Sequence, residues 1–74
     1  MSEYVVKLSK EQIKFLKDLH SIYSKSGYTP IWSTTFEIVM WRIRYLDDTY
    51  VSETEMGMLR DIREDYIFKF LKKN

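Results

Sequence analysis

One stretch constrains this chain more than any other: Phe36-Glu37-Ile38-Val39-Met40-Trp41-Arg42-Ile43-Arg44-Tyr45-Leu46. At about 100° per residue, a helix puts Phe36, Val39, Met40, Ile43 and Leu46 on one side and Ile38, Trp41 and Tyr45 nearly opposite. Polar residues are confined to narrow strips, Glu37 and Arg44 on one flank and Arg42 on the other. A helix at a domain surface needs one apolar stripe. A helix apolar on two sides is either sandwiched within its own domain or half-buried against another chain, and size bears on that choice. A 74-residue chain is expected to form a single small domain over 1–74, and such a domain buries only about 60% of the surface its unfolded chain exposes. Association would add what a small core lacks.

The flanking segments give the expected architecture. Glu3-Tyr4-Val5-Val6-Lys7-Leu8 carries β-formers, and reads as a short strand or extended arm. A lone strand needs a partner, and no second convincing strand is evident. The partner is therefore a second copy of the chain, or else the arm lies unpaired over the helices and covers the second apolar face. Ser9-Lys10-Glu11-Gln12 has capping-box spacing, with Leu8 and Ile13 placed as a hydrophobic staple. The helix that follows buries Ile13, Leu16, Leu19 and Tyr23, flanked by Phe15 and Ile22, and turns Lys10, Lys14, Lys17 and Lys25 outward. Gly27 suits the left-handed position that closes a helix.

Pro30 stops further helix, which leaves Trp32 on a connection, as a lid on the core or a binding anchor. Thr34-Thr35-Phe36-Glu37 repeats the capping-box spacing and should open the central helix. Asp47 and Asp48 should end it, since carboxylates oppose the negative end of the dipole. Val51-Ser52-Glu53-Thr54-Glu55-Met56 gives a third box and a second staple. The last helix places Met56, Leu59, Ile62, Tyr66, Ile67 and Phe70 on one face, with Arg63 snorkelling from it or paired, and closes with Lys69, Lys72 and Lys73. Met58 and Phe68 fall off that stripe, a sign of further covered surface. The expected fold is mainly α, a short N-terminal strand or arm followed by three helices at about 10–26, 35–47 and 53–72.

The chemistry of catalysis is not expected. His20 is the single histidine and there are no cysteines, so a zinc site has too few ligands; His20 reads as a partly buried structural residue. Two glycines, Gly27 and Gly57, cannot build a phosphate loop, and no GxSxG turn is present. No cofactor, metal or small-molecule substrate is expected. Twelve Lys+Arg against eleven Asp+Glu give no global attraction to nucleic acid. The absence of cysteine, of a leader pattern and of a run near the roughly 20 apolar residues of a membrane span points to a soluble cytoplasmic protein.

The strand, the capped helix, Gly27 and the apolar helix resemble the ribbon-helix-helix family of small dimeric DNA-binding regulators, over about 4–46. What the resemblance implies is an antiparallel ribbon from two chains entering the major groove, with the second helices packed across the dimer. Tyr4, Val6 and Leu8 would face the core, and Glu3, Val5 and Lys7 the DNA. Lys10 and Lys14 would assist, and Ser33, Thr34 and Thr35 would offer phosphate contacts at the start of the second helix.

Two functions are therefore expected to compete, beside a third reading in which the chain is a three-helix monomer whose arm merely covers the second apolar face. One is a non-enzymatic protein-interaction module, such as an inhibitor or adaptor of the kind mobile genetic elements encode, with Ile38, Trp41, Tyr45 and Trp32 as interface anchors. The other is a homodimeric DNA-binding transcriptional regulator. The corresponding partners are a second copy of the chain or a foreign protein, and double-stranded DNA.

Overall fold

In the computed structural model, residues 4–72 are described. Glu3, at the start of the expected strand, and Lys73, near the end of the expected third helix, lie outside them. The chain runs β1 (Val5–Lys7), α1 (Lys10–Ser26), α2 (Ser33–Tyr45), β2 (Tyr50–Ser52), α3 (Glu53–Tyr66) and a π-helical turn (Ile67–Leu71). The three expected helices and the N-terminal strand are all present.

The strand's partner corrects the sequence reading. β1 pairs antiparallel with β2 of the same chain, Val5 opposite Ser52, Val6 opposite Val51 and Lys7 opposite Tyr50. Tyr50-Val51-Ser52 follows an aspartate pair and ends on a helix cap, and three such residues carry too little alternation to be read as a strand. What creates β2 is tertiary: Val51 is fully buried, and the pairing satisfies the backbone between α2 and α3. Leu8 N–H donates to the Thr49 carbonyl (2.9 Å) and Glu53 N–H to the Tyr4 carbonyl (3.1 Å), extending the ladder at both ends. Val6 and Leu8 turn toward the core as alternation demands, but Tyr4 is exposed.

Two capping boxes form as their spacing predicts. Gln12 N–H donates to Ser9 Oγ (3.1 Å) and Ser9 N–H to Gln12 Oε1 (2.8 Å). Ser52 and Glu55 repeat this at α3, at 3.1 and 2.9 Å. The box expected at Thr34 does not form. α2 begins two residues earlier than expected, and its cap is Trp32 in a left-handed conformation (φ 61°) with no side-chain capping bond. Thr34 and Thr35 lie within the first turn, and Glu37 is drawn to His20 instead. α2 ends at Tyr45, two residues short of the expected 47 and just before the two aspartates. Asp47 takes the left-handed conformation (φ 54°), and Asp48 N–H donates back to the Arg42 carbonyl (3.1 Å). That turn leaves Leu46 exposed rather than in the core.

The core joins Leu16, Leu19 and Tyr23 of α1, Phe36, Val39, Met40 and Ile43 of α2, Met58, Leu59 and Ile62 of α3, and Leu8 and Val51 from the ribbon segments. Met58 is thus covered, while Phe68 is exposed; Arg63 reaches solvent.

At the far end an aromatic group ties α1 to α3 and the π turn. Tyr23 and Tyr28 each meet Phe70 edge-on, with ring centroids 5.5 Å apart in both cases. Tyr23 Oη donates to Asp65 Oδ2 at 2.6 Å, and Lys69 approaches the same carboxylate at 3.5 Å. Burial, then the hydrogen bond to Asp65 and its negative charge, push the Tyr23 hydroxyl above its ordinary value of 10.0. The folded state therefore holds this proton more tightly, and its stabilisation is full below pH 10.0 and lost as pH rises further. Tyr23→Phe is expected to cost about 1–2 kcal/mol at neutral pH and to decline less steeply than the parent protein above about pH 10. Urea unfolding at neutral and alkaline pH measures both, and parallel decline of the two proteins would refute the linkage.

Candidate protein-interaction face

The outer face of α2 is built by helical spacing alone. With Phe36, Val39, Met40 and Ile43 committed to the core, the residues half a turn away cannot also reach it. Ile38, Trp41 and Tyr45 are accordingly 52%, 53% and 71% exposed. The β1–β2 ribbon does not cover them; β1 is engaged with β2 instead. Trp41 and Tyr45 lie one turn apart, with ring centroids at 5.9 Å and planes inclined by 43°.

These side chains border an open groove of about 470 Å³ whose other walls are His20, Glu37, Met40 and Arg44. His20 Nε2 and Glu37 Oε2 are 2.9 Å apart, and the imidazole packs edge-on against Phe36, centroid to centroid 5.4 Å. His20 thus plays the structural part expected of it and fixes the Glu37 carboxylate at the rim. Arg44 lies two turns further along the same flank, exposed.

The opposite flank is neutralised from within. Arg42 Nη2 donates to Glu55 Oε1 at 2.7 Å, and that oxygen also accepts the Ser52 N–H at 2.9 Å. Burial raises the Glu55 carboxyl, but the Arg42 hydrogen bond, the Ser52 N–H, the Arg42 charge and the Ser52 side chain outweigh it and hold it below its usual value.

The fourth expected anchor stands apart. Trp32 is half-exposed, but its indole N–H donates to Asp61 Oδ2 of α3 at 3.2 Å, on the side of α2 away from Trp41. The residues named for DNA also fall into two places. Val5 and Lys7 lie exposed on β1, with Lys10 and Lys14 exposed on the adjoining start of α1. Ser33 sits beside Ser24 and Gly27 at the other end of α1, with Thr34 and Thr35 following it in the first turn of α2. The 17 residues of α1 separate the two groups by about 25 Å. Sequence reasoning missed the His20–Glu37 and Arg42–Glu55 contacts, which join residues distant along the chain. Only the placement of Glu37, Arg42 and Arg44 in the polar strips of α2 hinted at partners. Among the described residues, no helix is long and apolar enough to cross a membrane. Compared with family models, with curated proteins and with solved structures, the chain matches none.

Proposed function

We propose that this protein is a non-enzymatic, cytoplasmic interaction module that engages another protein chain through the outer face of α2. The observation that carries this reading is the exposure of Ile38, Trp41 and Tyr45 together on one helix face. Single exposed apolar residues need no explanation, but clustered aromatics on a rigid element are the usual anchors of an interface. The polar edge of Glu37, His20 and Arg44 along one flank supports it further, since interfaces carry an apolar centre and a polar edge.

A photoreactive phenylalanine at position 45, in the protein expressed in its own cells, tests the reading. A discrete covalent adduct is expected at 45 and none at Phe68, an exposed site on the π turn. Trp41→Ala should abolish the adduct while changing stability by less than about 1 kcal/mol, because the side chain is only half-buried. Equal labelling at 45 and 68, or no adduct at 45, would refute it.

The DNA-binding alternative draws support from one feature, the outward face of the ribbon, where Lys7 stands opposite Tyr50 with Lys10 and Lys14 beyond. Binding to duplex DNA that weakens with salt and with Lys7→Ala would favour it.

A further inference from the structure

The outer face of α2 carries its own complement. Glu37 and Arg44 lie on the same flank, and they stand four residues before and three residues after Trp41. Ile38 and Tyr45, on the apolar seam itself, stand three before and four after. A twofold axis across the helix beside Trp41 reverses the direction of α2 but keeps each flank on its own side. At about 1.5 Å rise per residue, it brings residues three and four places from Trp41 to within about 1.5 Å of the same height. Glu37 of one copy then meets Arg44 of the other, twice over, and Ile38 packs against Tyr45 twice over. Within one chain the same two charges are about 10 Å apart along the axis. They form no ion pair there.

We propose that two copies of this chain pair through the outer faces of α2, antiparallel about a twofold axis beside Trp41, with Glu37 of each copy facing Arg44 of the other.

One observation favours a second copy over a foreign chain, and two more are compatible with it. The charge pattern is self-complementary, which an isologous contact requires and a foreign partner does not. Glu37 is held by His20 through Oε2, which leaves Oε1 to accept from a further donor. Arg42, which the same axis would bring beside its own copy, is already bound to Glu55, so the other flank adds no uncompensated repulsion. The pairing uses α2 alone, because β1 is paired with β2 in its own chain. It rests on reading the α2 face as an interaction surface.

The charge geometry gives a test that a general apolar contact would fail. E37R places two arginines on this flank of every copy, and R44E places two glutamates, so each variant repels itself at both contacts. Mixed together, the doubly basic flank of one variant faces the doubly acidic flank of the other, and both contacts become attractive. Sedimentation equilibrium on the full chain up to about 1 mM should give a concentration-dependent dimer for the parent protein. Each variant alone should dimerise about tenfold more weakly or worse, and the equimolar mixture should recover parent-like affinity as a heterodimer. Glu37 and Arg44 are both exposed, and circular dichroism checks that each variant folds. A second measurement does not depend on Glu37: in this cysteine-free chain, oxidising a mixture of I38C and Y45C should link one to the other in preference to like with like.

A parent protein monomeric at about 1 mM, variants that dimerise like the parent, or a mixture no stronger than its components would each overturn the pairing. A monomer that still gives the adduct at position 45 would overturn self-pairing and leave the interaction reading standing. A monomer with no adduct would remove both.

Discussion

Phe36→Ala should leave a large share of the molecules unfolded at room temperature. Phe36 is 1% exposed and lies where α2 meets α1, its ring edge-on to His20, within a core cluster drawn from all three helices. Removing a fully buried phenylalanine costs about 3–5 kcal/mol, the lost transfer energy together with the cavity left behind. A domain of this length has only about 4–11 kcal/mol in total, at about 0.05–0.15 kcal/mol per residue. The same helix offers the control, since Trp41→Ala removes a larger ring from the half-exposed side and should shift the urea midpoint little. Urea unfolding followed by circular dichroism compares the two. Similar losses for both would mean that the two faces of α2 are not partitioned as described.

Glu55→Ala is expected to cost about 2–3 kcal/mol, because one carboxylate performs two tasks. It returns the capping bond to Ser52, a contact of about 1 kcal/mol, and it binds Arg42. Arg42 and Glu55 side chains are only 26% and 18% exposed, and Arg42 Nε is buried without a hydrogen-bond partner among the described residues. Removing Glu55 would therefore strand a half-buried guanidinium, a loss larger than that of a surface ion pair. The sign of the pH effect follows from the depressed carboxyl of Glu55. Its stabilisation is full above its unfolded value of 4.5 and disappears as pH falls from there through the lower folded value. Glu55→Gln should accordingly lose less stability than the parent between about pH 5 and 3. Identical pH slopes would show that the Arg42 contact does not lower the Glu55 carboxyl.

Local chemistry was legible wherever neighbours in sequence decide the outcome. Ser9 with Gln12 and Ser52 with Glu55 form the boxes their spacing predicts, and Gly27 closes α1 with φ 85°, a conformation that costs other residues energy. Thr34 shows the limit of that logic. Its spacing to Glu37 is as good as the other two, yet His20 binds Glu37 from α1 and the helix starts earlier, so a tertiary partner outcompetes a local one. β2 shows the same limit from the other side, since Tyr50-Val51-Ser52 becomes a strand only because β1 lies beside it and the core receives Val51.

For the candidate interaction face, sequence by itself determined that α2 is apolar on two sides, because side-chain direction on a helix is fixed by its periodicity of about 3.6 residues. Which side would be buried was a tertiary decision. α1, α3 and the ribbon segments close around Phe36, Val39, Met40 and Ile43, and backbone pairing holds β1 against β2 rather than across α2. Ile38, Trp41 and Tyr45 remain in solvent for that reason, and Trp32, whose indole is bound by Asp61, does not join them. Periodicity is a property of neighbours along the chain, whereas burial depends on which distant segments find partners first.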